Sequence, residues 1–253
     1  MRRIVLSAVC LLVLAACDPV AILSLAEEVD EPELSCATRP TPGCAFDQSP
    51  LRVLPEPVEL PKRAYTFFPT ANALRFVDSR GKTWVAPRRT LTDGASIPPI
   101  FISIVGDPTS PEFINAAAVH DAYCGVGNEL GDNFHNGRWE DVHRMFYDGL
   151  VAGGTDHTRA KLMFAAVWLG GPRWETTRDL SHIPVTRKQK AMRQAKAYIE
   201  EQQPNLNQLL LYLERLERQM TAEFPLKGAY GESSYGYVSS SSGSASNSAG
   251  LDF

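Results

Sequence analysis

Residues 111–124 read Pro111-Glu112-Phe113-Ile114-Asn115-Ala116-Ala117-Ala118-Val119-His120-Asp121-Ala122-Tyr123-Cys124. Phe113, Ala116, Ala117, His120 and Cys124 fall at i, i+3, i+4, i+7 and i+11, one face of a helix that Gly125 and Gly127 end. Outward from it, Trp139, Val142, His143, Phe146 and Leu150 repeat the spacing on a second helix, which stops at Gly153-Gly154. Asp156 is placed to cap a third, over residues 158–169, apolar nearly all round and so expected at the centre. Upstream the period changes. Residues 64–69, 74–78 and 83–87 are short β-branched and aromatic runs, with Ser79-Arg80-Gly81-Lys82 as a hairpin turn between the last two. A small antiparallel sheet followed by three packed helices is an α+β domain, with bounds of 62–183.

Residues 184–227 read as an accessory helical segment broken at Pro204. Leu206, Leu209, Leu213, Leu216 and Met220 form a heptad stripe there. Two heptads suit a helix packing on its own domain, the plainer reading, and also allow a protein partner or self-association through that stripe. Residues 228–253, rich in Ser, Gly and Tyr, read as a disordered tail.

The first residues are an address. Met1-Arg2-Arg3 precedes an apolar run too short to span a bilayer as a helix, and the run ends in Leu14-Ala15-Ala16-Cys17. That ending resembles a bacterial lipobox, which implies a signal peptide over residues 1–16, lipidation of Cys17 and membrane anchoring in the cell envelope, on its periplasmic or extracellular side. Residues 17–61 carry eight of the 18 prolines and an acidic cluster, and read as a tether. Within it, Cys36 and Cys44 flank Pro40, Pro42 and Gly43, and a disulfide closing that loop is expected in an oxidising compartment. Lys and Arg number 25 against 29 Asp and Glu, a net charge of −4, which gives no footprint for nucleic acid.

Two polar strings sit in apolar surroundings: Thr92-Asp93-Gly94-Ala95-Ser96-Ile97-Pro98 and His120-Asp121-Ala122-Tyr123. Buried carboxylates and imidazoles need a partner or a cation. If the first two helices pair antiparallel, His143 meets His120 and Asp121, and Asp93 completes the set. Two imidazoles and two carboxylates suit Zn²⁺, Mn²⁺ or Fe²⁺, which could activate a water. The plainer expectation is that His120 and Asp121 brace the helices by hydrogen bonds. Ser96 as a nucleophile activated by His120 is a weaker reading, since small residues beside Pro98 more often serve a tight loop.

Residues 84–170 resemble the domain-of-unknown-function family 1353 of bacteriophages and bacteria. The resemblance rests on Trp84-Val85-Ala86-Pro87, the whole Thr92 to Pro98 string, His120-Asp121-Ala122-Tyr123, Val142-His143-Arg144-Met145-Phe146 and the apolar run to Gly170. This chain departs from the pattern in carrying His143 where the family tends to have Asp, Tyr123-Cys124 where Leu-Tyr is commoner, and a longer loop over 128–137. The resemblance implies that Asp93, His120, Asp121 and His143 are functional and supplies no reaction. A fainter likeness is to the His-Asp helix pair of secreted phospholipases A2. It implies His120 as general base, Asp121 as a Ca²⁺ ligand, and His143 where an orienting Asp belongs. Together these expectations describe an envelope lipoprotein with a metal-assisted hydrolase site, or a non-catalytic, phage-related interaction protein whose His-Asp cluster is structural.

Overall fold

A computed structural model describes residues 33–38, 43–61, 63, 66–94, 97–106 and 110–225. The signal peptide, Cys17, Ser96 and the Ser/Gly/Tyr-rich tail lie outside the described residues. Six short strands come first: β1 (Ala45–Phe46), β2 (Val58–Glu59), β3 (Thr66–Pro69), β4 (Leu74–Val77), β5 (Thr83–Ala86) and β6 (Leu91–Thr92). A 3₁₀ turn at Pro99–Phe101 leads into α1 (Ile102–Val105). Then follow α2 (Pro111–Cys124), α3 (Trp139–Ala152), α4 (His157–Gly170), α5 (Val185–Gln202) and α6 (Leu206–Glu223). The fold is α+β. None of the helices among the described residues is long and apolar enough to cross a membrane.

The strands form two antiparallel sheets, β1-β4-β5 and β2-β3-β6, where one was expected. The hairpin between β4 and β5 is organised by Asp78. Its Oδ1 accepts from the amides of Arg80 and Lys82, both at 2.9 Å, and its Oδ2 from Trp84 Nε1 at 2.8 Å. Gly81 takes the left-handed φ of +78° that this turn needs. In the register Phe76↔Trp84, period-two alternation sends Leu74, Phe76, Trp84 and Ala86 into the core. β6 leaves this sheet and pairs with β3 instead, Pro69 opposite Leu91.

α2 is buried along almost all of its length, and α3 crosses it antiparallel at very short range. A Cβ on Gly149 would lie 3.1 Å from that of Ala116, and one on Gly153 only 2.5 Å from the Glu112 carbonyl. That contact is what brings residues 120 and 143 level with each other. α4 starts at Asp156, whose side chain accepts from the amides of Thr158 and Arg159. Its ten residues from Ala160 to Leu169 are all buried, which is the central position its composition predicts.

The packing corrects one expectation and decides between the two readings of another. The described part of the tether is not free of the domain: β1 pairs with β4, β2 pairs with β3, and the Leu51 amide donates to Asn115 on α2 at 2.8 Å. Proline excludes helix there but tolerates extended edge strands, so a Pro-rich stretch can still be wall. Cys36 and Cys44 are disulfide-bonded within it. The helical segment packs on its own domain, the plainer of its two readings. Leu206, Leu209, Leu213, Leu216 and Met220 are all buried in the same hydrophobic core as α2, α3 and α4. The stripe read as a candidate partner seam is covered by the chain itself, and the break at Pro204 is a helix hairpin. There Asn205 and Gln208 form a reciprocal capping box.

Candidate functional site

The site grows from the α2–α3 crossing. His120 Nε2 and His143 Nδ1 lie 2.9 Å apart, and Cys124, one turn further along α2, places Sγ 3.4 Å from His120 Nε2. The three donors fall within 4.8 Å of one another, and all three residues are buried. Phe146 packs 4.8 Å from the His120 ring and Trp139 edge-on 5.6 Å from that of His143. Arg173 in turn lies over Trp139, its guanidinium 4.2 Å from the ring centre.

These apolar walls set the protonation states. Burial pushes His120 down to about 3. Burial also holds His143 well below the usual histidine range, and the His120 ring and the Arg173 cation press in the same direction. The Cys124 thiol is pushed far up, by burial first and by the Asp121 carboxylate second. Both imidazoles are therefore neutral at pH 7, the form that ligates metals. His143 Nε2 is buried and makes no well-formed hydrogen bond, although the Pro172 carbonyl biases that ring toward protonation. Next to it the chain passes so close that a Cβ on Gly171 would lie 3.3 Å from His143 Cε1 and 2.4 Å from the Val167 carbonyl.

His120, Asp121 and Cys124 face a cleft of about 190 Å³, rimmed by Asp93, Ile97 and Gly171. His143 stands behind His120 with no exposed surface. The four residues expected to form a metal set thus separate into two groups. The structure brings His120 and His143 into contact, but the third donor beside them is Cys124. Asp93 and Asp121 instead join His120 on the cleft wall. The expected two-carboxylate set is corrected accordingly: residue 121 lies about 100° round the helix from His120, whereas residue 124 lies almost directly beneath it. A cysteine four residues after a helical histidine was the available signal for this.

Other motif residues are bracing. Trp84 packs edge-on against Tyr123 with ring centres 5.0 Å apart, and the Val85 amide approaches Tyr123 Oη at 3.4 Å, so the strand motif and the His120 helix hold each other in place. Asn128 carries this further, its side chain bonding both backbone groups of Leu91 and the Asp121 carbonyl.

The His120–Cys124–His143 cluster is geometrically compatible with a bound metal. A tetrahedral ion with metal–nitrogen bonds of about 2.0–2.1 Å and a metal–sulfur bond of about 2.3 Å separates two nitrogens by about 3.3 Å, and nitrogen from sulfur by about 3.5 Å. The His120–Cys124 spacing already fits, and the two rings would part by a few tenths of an ångström.

Residues 69–167 match the model of a family described as "Protein of unknown function (DUF1353)". The matched stretch holds both polar strings and all three donors of the buried cluster. Two proteins of Sinorhizobium fredii (strain NBRC 101917 / NGR234) are similar to part of the chain. "Uncharacterized protein y4iH" is 42% identical over 99 residues, 39% of this chain and 38% of its own length. "Uncharacterized protein y4jT" is 36% identical over 107 residues, 42% of this chain and 30% of its own. The chain therefore spans well under half of either relative. No solved structure matches.

Proposed function

We propose that the chain is a metal-assisted hydrolase of the cell envelope whose ion is held by His120, His143 and Cys124. The observation that carries this is the convergence of two neutral, desolvated imidazoles and a thiol, of which His120 and Cys124 line a cleft. Three protein ligands, two of them on a cleft wall, would leave a fourth position for water or substrate, the pattern of a catalytic rather than a closed structural site. His120 and Cys124 would present the ion to the cleft, and His143 would anchor it from behind. A bound ion of the zinc type supplies a water acidic enough to be hydroxide near neutral pH. Asp121 and Asp93, on the cleft wall, are the carboxylates in position to take up and return its proton and to orient a substrate.

Two rival chemistries are less well served. A free His120 acting as general base, the phospholipase-like version, would work from a pKa of about 3, far too low for efficient proton abstraction at pH 7. Cys124 as a nucleophile sits at the C-terminal end of α2, beside Asp121, with its thiol held protonated. A metal removes that obstacle by stabilising the thiolate. The envelope location rests on the Met1 to Cys17 pattern and is supported by the Cys36–Cys44 disulfide, which suits an oxidising compartment.

The test is elemental analysis by plasma mass spectrometry after loading with Zn²⁺ or Co²⁺. About one ion per chain is expected in the wild type, lost in Cys124→Ser and His120→Ala and retained in Asp93→Asn. A thiolate-to-metal charge-transfer band in the cobalt form would identify the sulfur ligand. A folded wild-type protein that takes up no ion overturns the reading and leaves the cluster as a brace between α2 and α3.

A further inference from the structure

A second, larger concavity of about 500 Å³ adjoins the site. Its walls are Pro50, Leu51, Val53, Phe68, Pro111 and Ile114, and Phe68 and Val53 are 40% and 37% exposed there. Its construction is rigid. The Leu51 amide is tied to Asn115, Val53 bridges Thr70 beside β3, and Pro111 begins α2. Asp93 lines this groove and the His120 cleft alike, and among the described residues is the one charged side chain on the groove wall. Phe67 and Phe68 divide in the same way, the first toward the cleft and the second toward the groove. Cleft and groove thus share Asp93, and the cleft holds the titratable side chains while the groove is almost wholly apolar.

We infer that the groove seats the hydrocarbon chain of an acyl ester or amide whose carbonyl end passes Asp93 into the His120 cleft. An apolar wall of this kind, with Phe68 and Val53 exposed on it, favours a hydrocarbon chain over a compact polar ligand. Among the described residues the groove wall offers Asp93 and no cation, so it suits an uncharged acyl chain, while the cleft beyond it carries Arg63 beside Asp93 and Asp121 for the polar end. The inference rests on the hydrolytic reading of the cleft. In that reaction water adds its oxygen to the acyl carbon and the acyl C–O bond breaks. The alcohol leaves with a proton, so ester and water become acid and alcohol.

The experiment is calorimetric titration with 1-monoacylglycerols that differ by single methylenes, each below its micelle concentration. Affinity should rise with each added methylene, by up to about fourfold. Phe68→Asp, at an exposed position, should abolish that increment and weaken binding about tenfold. Ile102→Asp, on an exposed apolar residue away from the groove, should change nothing, and Cys124→Ser should keep the chain-length dependence intact. Binding that ignores chain length, or that survives Phe68→Asp, overturns the inference. So does a signal that disappears on dilution with self-association, which would give the groove to a second copy of the chain. The two readings fail separately. Chain-length-dependent binding without cleavage of the same esters sinks the hydrolase and leaves the groove, whereas cleavage of short and long acyl esters at equal rates sinks the groove and leaves the hydrolase.

Discussion

The backbone amide of Cys36 donates to the buried carboxylate of Asp148 at 2.8 Å, joining residues 112 positions apart. The other oxygen of Asp148 accepts from Ser79 twice, from the hydroxyl at 2.6 Å and the amide at 3.1 Å. One carboxylate on α3 thereby holds both the disulfide loop and the β4–β5 hairpin. Burial lifts its pKa above the ordinary value, against these three donors. Asp148→Ala strands two buried amides at about 1–3 kcal/mol each, so a loss of about 3 kcal/mol in chemical denaturation is expected. Hydrogen exchange at the Cys36 amide should accelerate together with it. Unchanged protection at Cys36 would show that the segment is held by its other contacts alone.

Gly149 positions the donors without touching them. Its hydrogen faces Ala116 where α2 and α3 cross, and a Cβ there would also come within 3.5 Å of Phe46. Gly149→Val drives the helices apart, with an overpacking cost of about 1–3 kcal/mol. Because His120 and His143 hang from these two helices, metal affinity measured by chelator competition should fall with every ligand still present. A variant destabilised by this amount but with wild-type affinity would show that the rings adjust independently of the crossing.

Leu213 tests where the leucine stripe belongs. It has no exposed surface and lies in the core of the same chain, so Leu213→Ala should cost about 2–5 kcal/mol. The denaturation midpoints of wild type and variant should not depend on protein concentration. Concentration dependence would instead indicate a seam between copies.

The helices were legible because their chemistry repeats. Bounds drawn from apolar spacing, the Asp156 cap and the glycine stops agree with the observed helices to within about two residues. β1, β2 and β6, with two residues each, are too short for any alternation to register, and they exist only because longer neighbours offer them edges. For the same reason the described part of the tether looked unstructured. Its order comes from Asp148, Asn115 and β4, none of them local. At the site, pairing of the two histidines followed from facing helix stripes. Cys124 does not stand out as a ligand in the sequence because buried cysteine at an apolar position is ordinarily packing, and its place four residues after His120 becomes telling only with the distance between them.

Glu217 carries the acid sensitivity of the C-terminal helices. It is buried and accepts from Arg178 Nε at 2.8 Å, with Arg173 at 3.1 Å. Burial alone would raise its pKa, but the Arg178 hydrogen bonds and the two guanidinium charges outweigh this and leave it below the ordinary glutamate value of 4.5. A folded-state pKa lower than the unfolded one means that the unfolded chain binds the proton more readily. The stabilisation is therefore complete above pH 4.5 and is lost as pH falls through the lowered folded value, with a slope of at most about 1.4 kcal/mol per pH unit. Glu217→Gln should lose about 3 kcal/mol at pH 7, since it leaves the Arg173 guanidinium, 2% exposed, without its counter-charge. The difference between wild type and variant should then shrink below pH 4.5, where the unfolded wild-type chain takes up the proton that the folded one still resists. Urea denaturation at pH 7, 5 and 4 measures it, and a gap constant across that range would show that the Glu217 carboxylate is not the titrating group.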